Sequence, residues 1–222
     1  VEDFEAKVAA LLGFPAARFM PTGKVAQNVA LRVWAERAGH GHVGMHPTSH
    51  LELHEERAYA HLFGLRATLV GPADRPMLAE HLRGLPESLA ALLVELPTRE
   101  AGGQLPSWEE LEEIKSEAGS RGVRLHLDGA RLWETAAYYG RGYDEICAGF
   151  DSVYVSFYKG IGGLSGAMLL GAEDFVAEAR VWQTRAGAEL YTLAPNVASA
   201  AMQFDERLAR MPAYYERAVA AA

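Results

Sequence analysis

The sequence predicts an α/β domain built on a mostly parallel mixed sheet with helices on both faces. Three observations lead there. Helix-periodic and strand-like segments alternate over most of the 222 residues, the pattern left by crossover connections between buried strands. The strand-like segments are short apolar runs, several of them closed by a polar residue or a glycine. Half of the residues are hydrophobic, enough to bury a substantial core.

The elements follow in order. Residues 2 to 12 carry Phe4, Val8, Leu11 and Leu12 at helical spacing, with Val1 just ahead of them. A second helix is expected over 24 to 38, behind a Thr22-Gly23 turn, and a shorter one near 50 to 62. "RATLV" (66 to 70) reads as a strand, 78 to 83 as a short helix and "LAALLVEL" (89 to 96) as a strand. Ser107 followed by Glu110 is a capping box opening a helix over 107 to 121. "GVRLHLD" (122 to 128) places Val123, Leu125 and Leu127 on one face of a strand, and a short helix is expected near 130 to 138. The strand "DSVYVSF" (151 to 157) alternates, with Val153, Val155 and Phe157 on one side and Ser152, Tyr154 and Ser156 on the other. "GAMLLG" (166 to 171) is a further strand, 172 to 185 a helix, and the closing "YYERAVAAA" reads as helix to its last residue. No internal repeat or low-complexity linker interrupts the pattern. Both ends read as cut, since the chain opens on Val1 inside an amphipathic run, so a longer parent protein is expected.

Composition narrows the function. A net charge of −8 without a basic stripe disfavours nucleic acid and anionic membrane as partners. The apolar runs fall well short of the roughly 20 residues that a membrane span needs. The single cysteine, Cys147, permits no internal disulfide, which suits a reducing compartment and gives a cytoplasmic expectation. Small-molecule chemistry is the remaining class.

In parallel α/β sheets ligands sit beyond the carboxyl ends of the strands, and two strand ends here carry opposite charges. Asp128 closes one strand and Lys159 the next, 31 residues later, followed by Gly160, Gly162, Gly163 and Gly166. Taken alone, Asp128 reads as a cap on the turn that follows, and Lys159 as a surface lysine whose stem lies along apolar neighbours. Together they can meet at one sheet edge around a single ligand. Pyridoxal 5′-phosphate chemistry uses such a pair: a lysine amine condenses with the cofactor aldehyde while a carboxylate keeps the pyridine nitrogen protonated. Arg131 lies about one helical turn beyond Asp128 and can face the same site.

"HLDGARLW" followed by "SFYKG" resembles the threonine aldolase and β-eliminating lyase family of PLP-dependent enzymes, fold type I, over most of the chain. The resemblance implies that Lys159 is the Schiff-base lysine and that Asp128 pairs with the pyridine nitrogen. It places Arg131 beside the cofactor's phenolic oxygen or the substrate carboxylate. "FMPTGKVAQNVALRVW" is similar to the family's phosphate-binding turn and helix; Lys24 stands where Thr or Ser is usual, and can pair with phosphate or point away. The family's stacking histidine, followed five residues later by glutamate, corresponds to His50 and Glu55. The implied site is therefore Lys159, His50 and Asp128 as catalytic residues, with cofactor contacts from Thr22, Gly23, Lys24, His50, Asp128, Arg131, Ser156 and Lys159. His42, His46, His50 and His54 are each four apart, yet Gly44 and Pro47 break the run, so only His50 and His54 can share a helical face; no metal site is expected. The loop "VELPTREAGGQLPSWEEL" is similar to the family's loop beneath the cofactor, with no catalytic role drawn for Glu95, Thr98 or Arg99.

Other features depart from the family. The segment "TRAGAELYTLAPN" departs from the family's Gly-rich, Arg-containing pattern, and the family's N-terminal arm and C-terminal small domain are expected to lie outside this chain. Residues 1 to 200 are expected to be the PLP-binding large domain and 201 to 222 the start of a connection onward. The activity implied is retro-aldol cleavage of a β-hydroxy amino acid such as threonine, in a homodimer or homotetramer. The alternatives are β-elimination to pyruvate and ammonia, or cofactor binding without turnover; a metal-dependent hydrolase is the third.

Overall fold

In a computed structural model, residues 1–85 and 88–221 are described. The chain begins with α1 (Glu2–Leu12), β1 (Ala16–Met20), α2 (Gly23–Ala38), β2 (His42–Met45), α3 (His50–Leu53), α4 (Ala58–His61) and β3 (Arg66–Leu69). It continues through α5 (Ala79–Arg83), β4 (Ala91–Glu95), α6 (Trp108–Ser120), β5 (Arg124–Gly129), α7 (Ala136–Tyr139) and α8 (Tyr143–Cys147). The last elements are β6 (Ser152–Ser156), β7 (Ala167–Gly171), α9 (Glu173–Arg185), α10 (Ala194–Ala209) and α11 (Met211–Ala221). The expectation of helix at the final residue, 222, lies outside the described residues.

Among the described residues seven strands form one sheet in the order β1-β7-β6-β5-β4-β2-β3. The five strands β6, β5, β4, β2 and β3 are mutually parallel. β7 runs antiparallel to both β6 and β1, so β1 points the same way as the parallel set. The ends of β1, β2, β4, β5 and β6 consequently meet along a single edge. From β2 the chain leaves outward to β3 and then returns inward to β4, which makes the β2/β4 boundary the switch point where such folds open a crevice.

Strand alternation divides the core between two faces. Leu92, Val94, Leu125, Leu127, Val153 and Val155 face one way, packing with α1, α6, α10 and the start of α11. Val43, Met45, Ala91, Leu93, Tyr154 and Leu169 face the other, beneath the buried side of α2 and Phe175 and Ala179 of α9. Every residue of α2 from Ala26 to Leu31 is buried, as expected of a helix laid across the sheet centre.

The structure adds strands β1 and β2, which carry no alternating apolar pattern: "AARFM" is a part-buried edge and "HVGM" includes Gly44, where a Cβ would come within 2.7 Å of Leu89. The helix expected near 50 to 62 is broken into α3 and α4. Between them Glu56 and Arg57 adopt left-handed backbone, φ 50° and 55°, and the preceding Glu55 turns its carboxylate inward to His50 Nδ1 (2.8 Å) and Asn28 Nδ2 (2.9 Å). The helix expected near 130 to 138 starts late for a similar reason. Ala130 N–H is bonded to the Asp128 side chain at 3.0 Å, leaving a 3₁₀ turn at Leu132–Glu134 ahead of α7.

Candidate active site

A cavity of about 250 Å³ opens at the carboxyl edge of the sheet, on the α2 face. Its lining comes from six separate places: the start of α2 (Gly23, Lys24, Gln27), the segment from β2 through α3 (Thr48, His50, His54, Glu55), the end of β4 and its loop (Glu95, Arg99, Glu100), the end of β5 (Asp128, Ala130, Arg131), Tyr154 of β6, and the loop after β6 (Tyr158, Lys159). Lys159 and Asp128 are thus brought to one cavity by two neighbouring parallel strands. So are Gly23, Lys24, His50 and Arg131.

Each of these has a local cause. Thr22, extended at φ −145° and ψ 154°, caps α2 by accepting Val25 N–H on its side chain at 3.3 Å. The following N–H groups of Gly23 and Lys24 are left at the cavity wall, and the first turn of α2 carries no acidic residue. A helix start of this kind favours an anion. Gly23 is required sterically, since a Cβ there would lie 2.0 Å from the Tyr154 hydroxyl. Lys24 Nζ reaches the carbonyl of His54 at 3.4 Å, which holds the ammonium at the rim. Thr22 and Ser156 lie outside the cavity lining, with their hydroxyls engaged: Thr22 in the cap, and Ser156 donating to Ala130 O at 2.8 Å.

Electrostatics at the floor are set by burial. Asp128 is 1% exposed, and desolvation raises its pKa, while Lys159, the Ala130 amide, His50 and Gln27 pull it back. Lys159 is lowered, first by desolvation and then by Arg131 and Arg99, against the pull of Asp128 and Glu95. An amine in that state is a better nucleophile at neutral pH than a surface lysine. Glu95, next to Asp128 in register, is raised to about 8, chiefly by desolvation and then by the Asp128 charge. Glu134, beyond Arg131, is raised to about 6 by burial.

His50 is oriented by a buried relay. Its Nδ1 meets Glu55 Oε1 at 2.8 Å, and Glu55 Oε2 accepts from Asn28 on α2, so Nε2 is the ring nitrogen left for a ligand. His46 lies outside this cavity, bonded to Thr48 and to the carbonyls of Pro72 and Arg75, whereas His54 lines it and meets Glu100 at 3.0 Å. Among the described residues no three His, Cys, Asp or Glu side chains are grouped to hold a metal ion.

Sequence reasoning did not place Gln27, Tyr154 or Tyr158 in the site, and it drew no role for Glu95 or Arg99 beyond their loop's likeness to the family's loop beneath the cofactor. For Glu95 and Tyr154 a signal existed. Both sit on the α2 face at or near a strand end, and the strand pattern already put Tyr154 on the side opposite Val153 and Val155. Gln27 carries no such mark.

The donor set fits pyridoxal phosphate: a depressed lysine amine for an aldehyde, a buried carboxylate for a pyridinium, and a glycine-cleared helix start with Lys24 for a phosphate. Buried polar atoms without partners, Gln27 Oε1 and Glu95 Oε2, belong to residues at the same wall. Fold and cavity together define an α/β domain with a buried lysine amine beside a helix start suited to an anion.

The chain belongs to the beta-eliminating lyase family, which it matches over residues 1–222. A crystal structure described as an L-allo-threonine aldolase of Listeria monocytogenes is 48% identical, with a TM-score of 0.96 over 97% of this chain and 60% of that one. An aldolase of Penicillium aethiopicum is 31% identical across 79% of this chain and 47% of its own length. The low specificity L-threonine aldolase of Escherichia coli is 29% identical across 89% of this chain and 63% of its own. The chain therefore spans about half to three fifths of the length of these relatives. Among the described residues no helix is long and apolar enough to cross a membrane.

Proposed function

We propose that this chain is the cofactor-binding domain of a pyridoxal phosphate-dependent lyase that cleaves a β-hydroxy amino acid such as threonine to glycine and an aldehyde. One observation carries the reading: Lys159 and Asp128, from adjacent strands, share one cavity with a helix start cleared for an anion. The threonine aldolases among its relatives support the reaction type.

When bound, the cofactor supplies an electron sink for the bond that breaks. The protein's own residues do the rest. Lys159 would hold the cofactor through its amine, which burial keeps reactive. Asp128 would be the fixed negative charge that keeps a pyridine nitrogen protonated. Gly23 and Lys24 would bind the phosphate through N–H groups and the ammonium, and Arg131 would supply a guanidinium to an oxygen of cofactor or substrate. His50 stands at the opening with Nε2 free to take the substrate hydroxyl proton, while Glu55 fixes the ring through Nδ1. The pocket is built for an amino acid, and the complete enzyme is proposed to be a symmetric oligomer.

The test is reconstitution with pyridoxal phosphate, addition of L-threonine and L-allo-threonine, and product analysis. Glycine with acetaldehyde supports the proposal. Pyruvate with ammonia from a serine-type substrate, and no glycine, would replace it with β-elimination. A cofactor spectrum that no amino acid perturbs would reduce the chain to a binding protein.

A further inference from the structure

One acidic group at the floor is unexplained by the roles above. Glu95 ends β4 directly beside Asp128 on β5, the two paired in parallel register, so both side chains leave the sheet on the α2 face only one strand spacing apart, about 4.8 Å. Glu95 is 8% exposed and lines the same cavity. The Arg99 amide donates to its carboxyl group, yet Oε2 is buried with no hydrogen-bond partner. An ionised carboxylate with an unpartnered buried oxygen beside a second buried carboxylate is costly. A neutral acid there has an O–H to give.

We propose that Glu95 is kept as a neutral carboxylic acid in the resting site and that its Oε2 hydroxyl is a hydrogen-bond donor aimed at an acceptor atom of the bound ligand. Asp128 is then the charged member of the pair.

The groups around Glu95 agree with that division. Asp128 faces it from β5, and its charge opposes ionisation of Glu95. Arg131 from the turn after β5 and Lys159 from the loop after β6 act the other way, as does the Arg99 amide, but burial outweighs them. His46, on the far side of Glu95, is already bonded to Thr48 and to two carbonyls. Asp128, in contrast, receives the Ala130 amide, the Gln27 side chain and the nearby amine of Lys159, all of which favour its ionised form. The two carboxyl groups are therefore separated by their donors rather than by their burial.

The ligand half of this inference rests on the cofactor reading above; the protonation half does not. Carbon-13 NMR of the cofactor-free chain, labelled at the glutamate carboxyls and assigned with Glu95→Gln, reads protonation directly. A midpoint near 8, moving down in Asp128→Asn, is expected; a midpoint in the ordinary carboxylate range overturns the proposal. Pyridoxine 5′-phosphate, which has no aldehyde for Lys159, then probes the donor. Wild-type affinity should fall about tenfold between pH 7 and pH 9. Glu95→Gln, which keeps an N–H donor but cannot ionise, should show less than a twofold change attributable to this position. Equal pH dependence in the two proteins overturns the donor role. If the probe binds neither protein, the cofactor reading and the donor role fall together, and the NMR midpoint alone decides the protonation state.

Discussion

Asp128 Oδ1 accepts the backbone N–H of Ala130 at 3.0 Å, so the carboxylate that faces the cavity also shapes the turn carrying Arg131. The two duties can be separated by substitution. Asp128→Asn retains an acceptor oxygen for Ala130 and should keep the fold, with an unchanged circular dichroism spectrum. It lacks the charge needed opposite a pyridinium, so turnover should fall about a hundredfold or more. Asp128→Ala should lose the turn as well and melt at a lower temperature. Wild-type turnover in the asparagine variant would remove Asp128 from the chemistry.

Lys159 is predicted to be the only residue labelled when the cofactor complex is reduced with borohydride and the peptides are mapped. Lys159→Ala should give no reducible chromophore. Labelling at Lys24 or Lys115 would transfer the role, although Lys115 is bound to Glu112 and the Ile146 carbonyl, away from this cavity.

Gly23→Ala places a methyl 2.0 Å from the Tyr154 hydroxyl, whereas a Cβ at Gly119 of α6 meets nothing within 4 Å. Overpacking at the first site should cost about 1 to 3 kcal/mol, or about 2 to 4 °C of melting temperature for each kcal/mol in a chain of this size. Its affinity for pyridoxal phosphate should drop as well. Gly119→Ala should be neutral or stabilising by about 0.5 to 1 kcal/mol. Thermal melts that rank the two variants the other way would refute the steric account of the α2 start.

Acid stability should report His126. This ring is fully buried, with Nδ1 against Ser152 Oγ at 2.8 Å and Nε2 unpartnered, and burial lowers its pKa from 6.5 to about 3. Between those values the unfolded chain binds a proton that the native one does not, so stability falls as pH drops through that window. For an isolated group the loss is about 2 kcal/mol at pH 5. His126→Gln should flatten the dependence of unfolding free energy on pH between 6 and 4 by about one proton; parallel curves would contradict this. Glu95 acts in the other direction, since a carboxyl raised from 4.5 to about 8 loses stability as pH climbs between those values.

Much of the fold was legible because the buried parallel strands are continuous apolar runs and the long helices have clear stripes or caps. "LAALLVEL", "GVRLHLD", "DSVYVSF" and the Ser107–Glu110 box each led to an element within a residue or two of its observed bounds. β1 and β2 were not legible, since an edge strand containing Arg18 and a four-residue strand containing Gly44 have no period to detect. The break in 50 to 62 follows from a tertiary demand: Glu55 is drawn toward His50 and Asn28, and local helix preference yields to it. In the site, charged strand ends identified Asp128 and Lys159. Glu95 ends a strand in the same way, but its significance depends on lying next to Asp128, and strand order is not visible in a linear sequence.

The pairing of β1 with β7 has a consequence for how the protein is made. Ala16–Met20 leave the ribosome well before their hydrogen-bonding partners, Ala167–Gly171. Until those partners emerge β1 is therefore an orphan ribbon, and the apolar stripe of α1 has no Phe157 or Phe204 to rest on. Only when β7 lies between β1 and β6 is the sheet complete. A nascent chain stalled before Ala167 exposes unsatisfied strand edges to other nascent chains, although every residue that lines the pocket has by then been made.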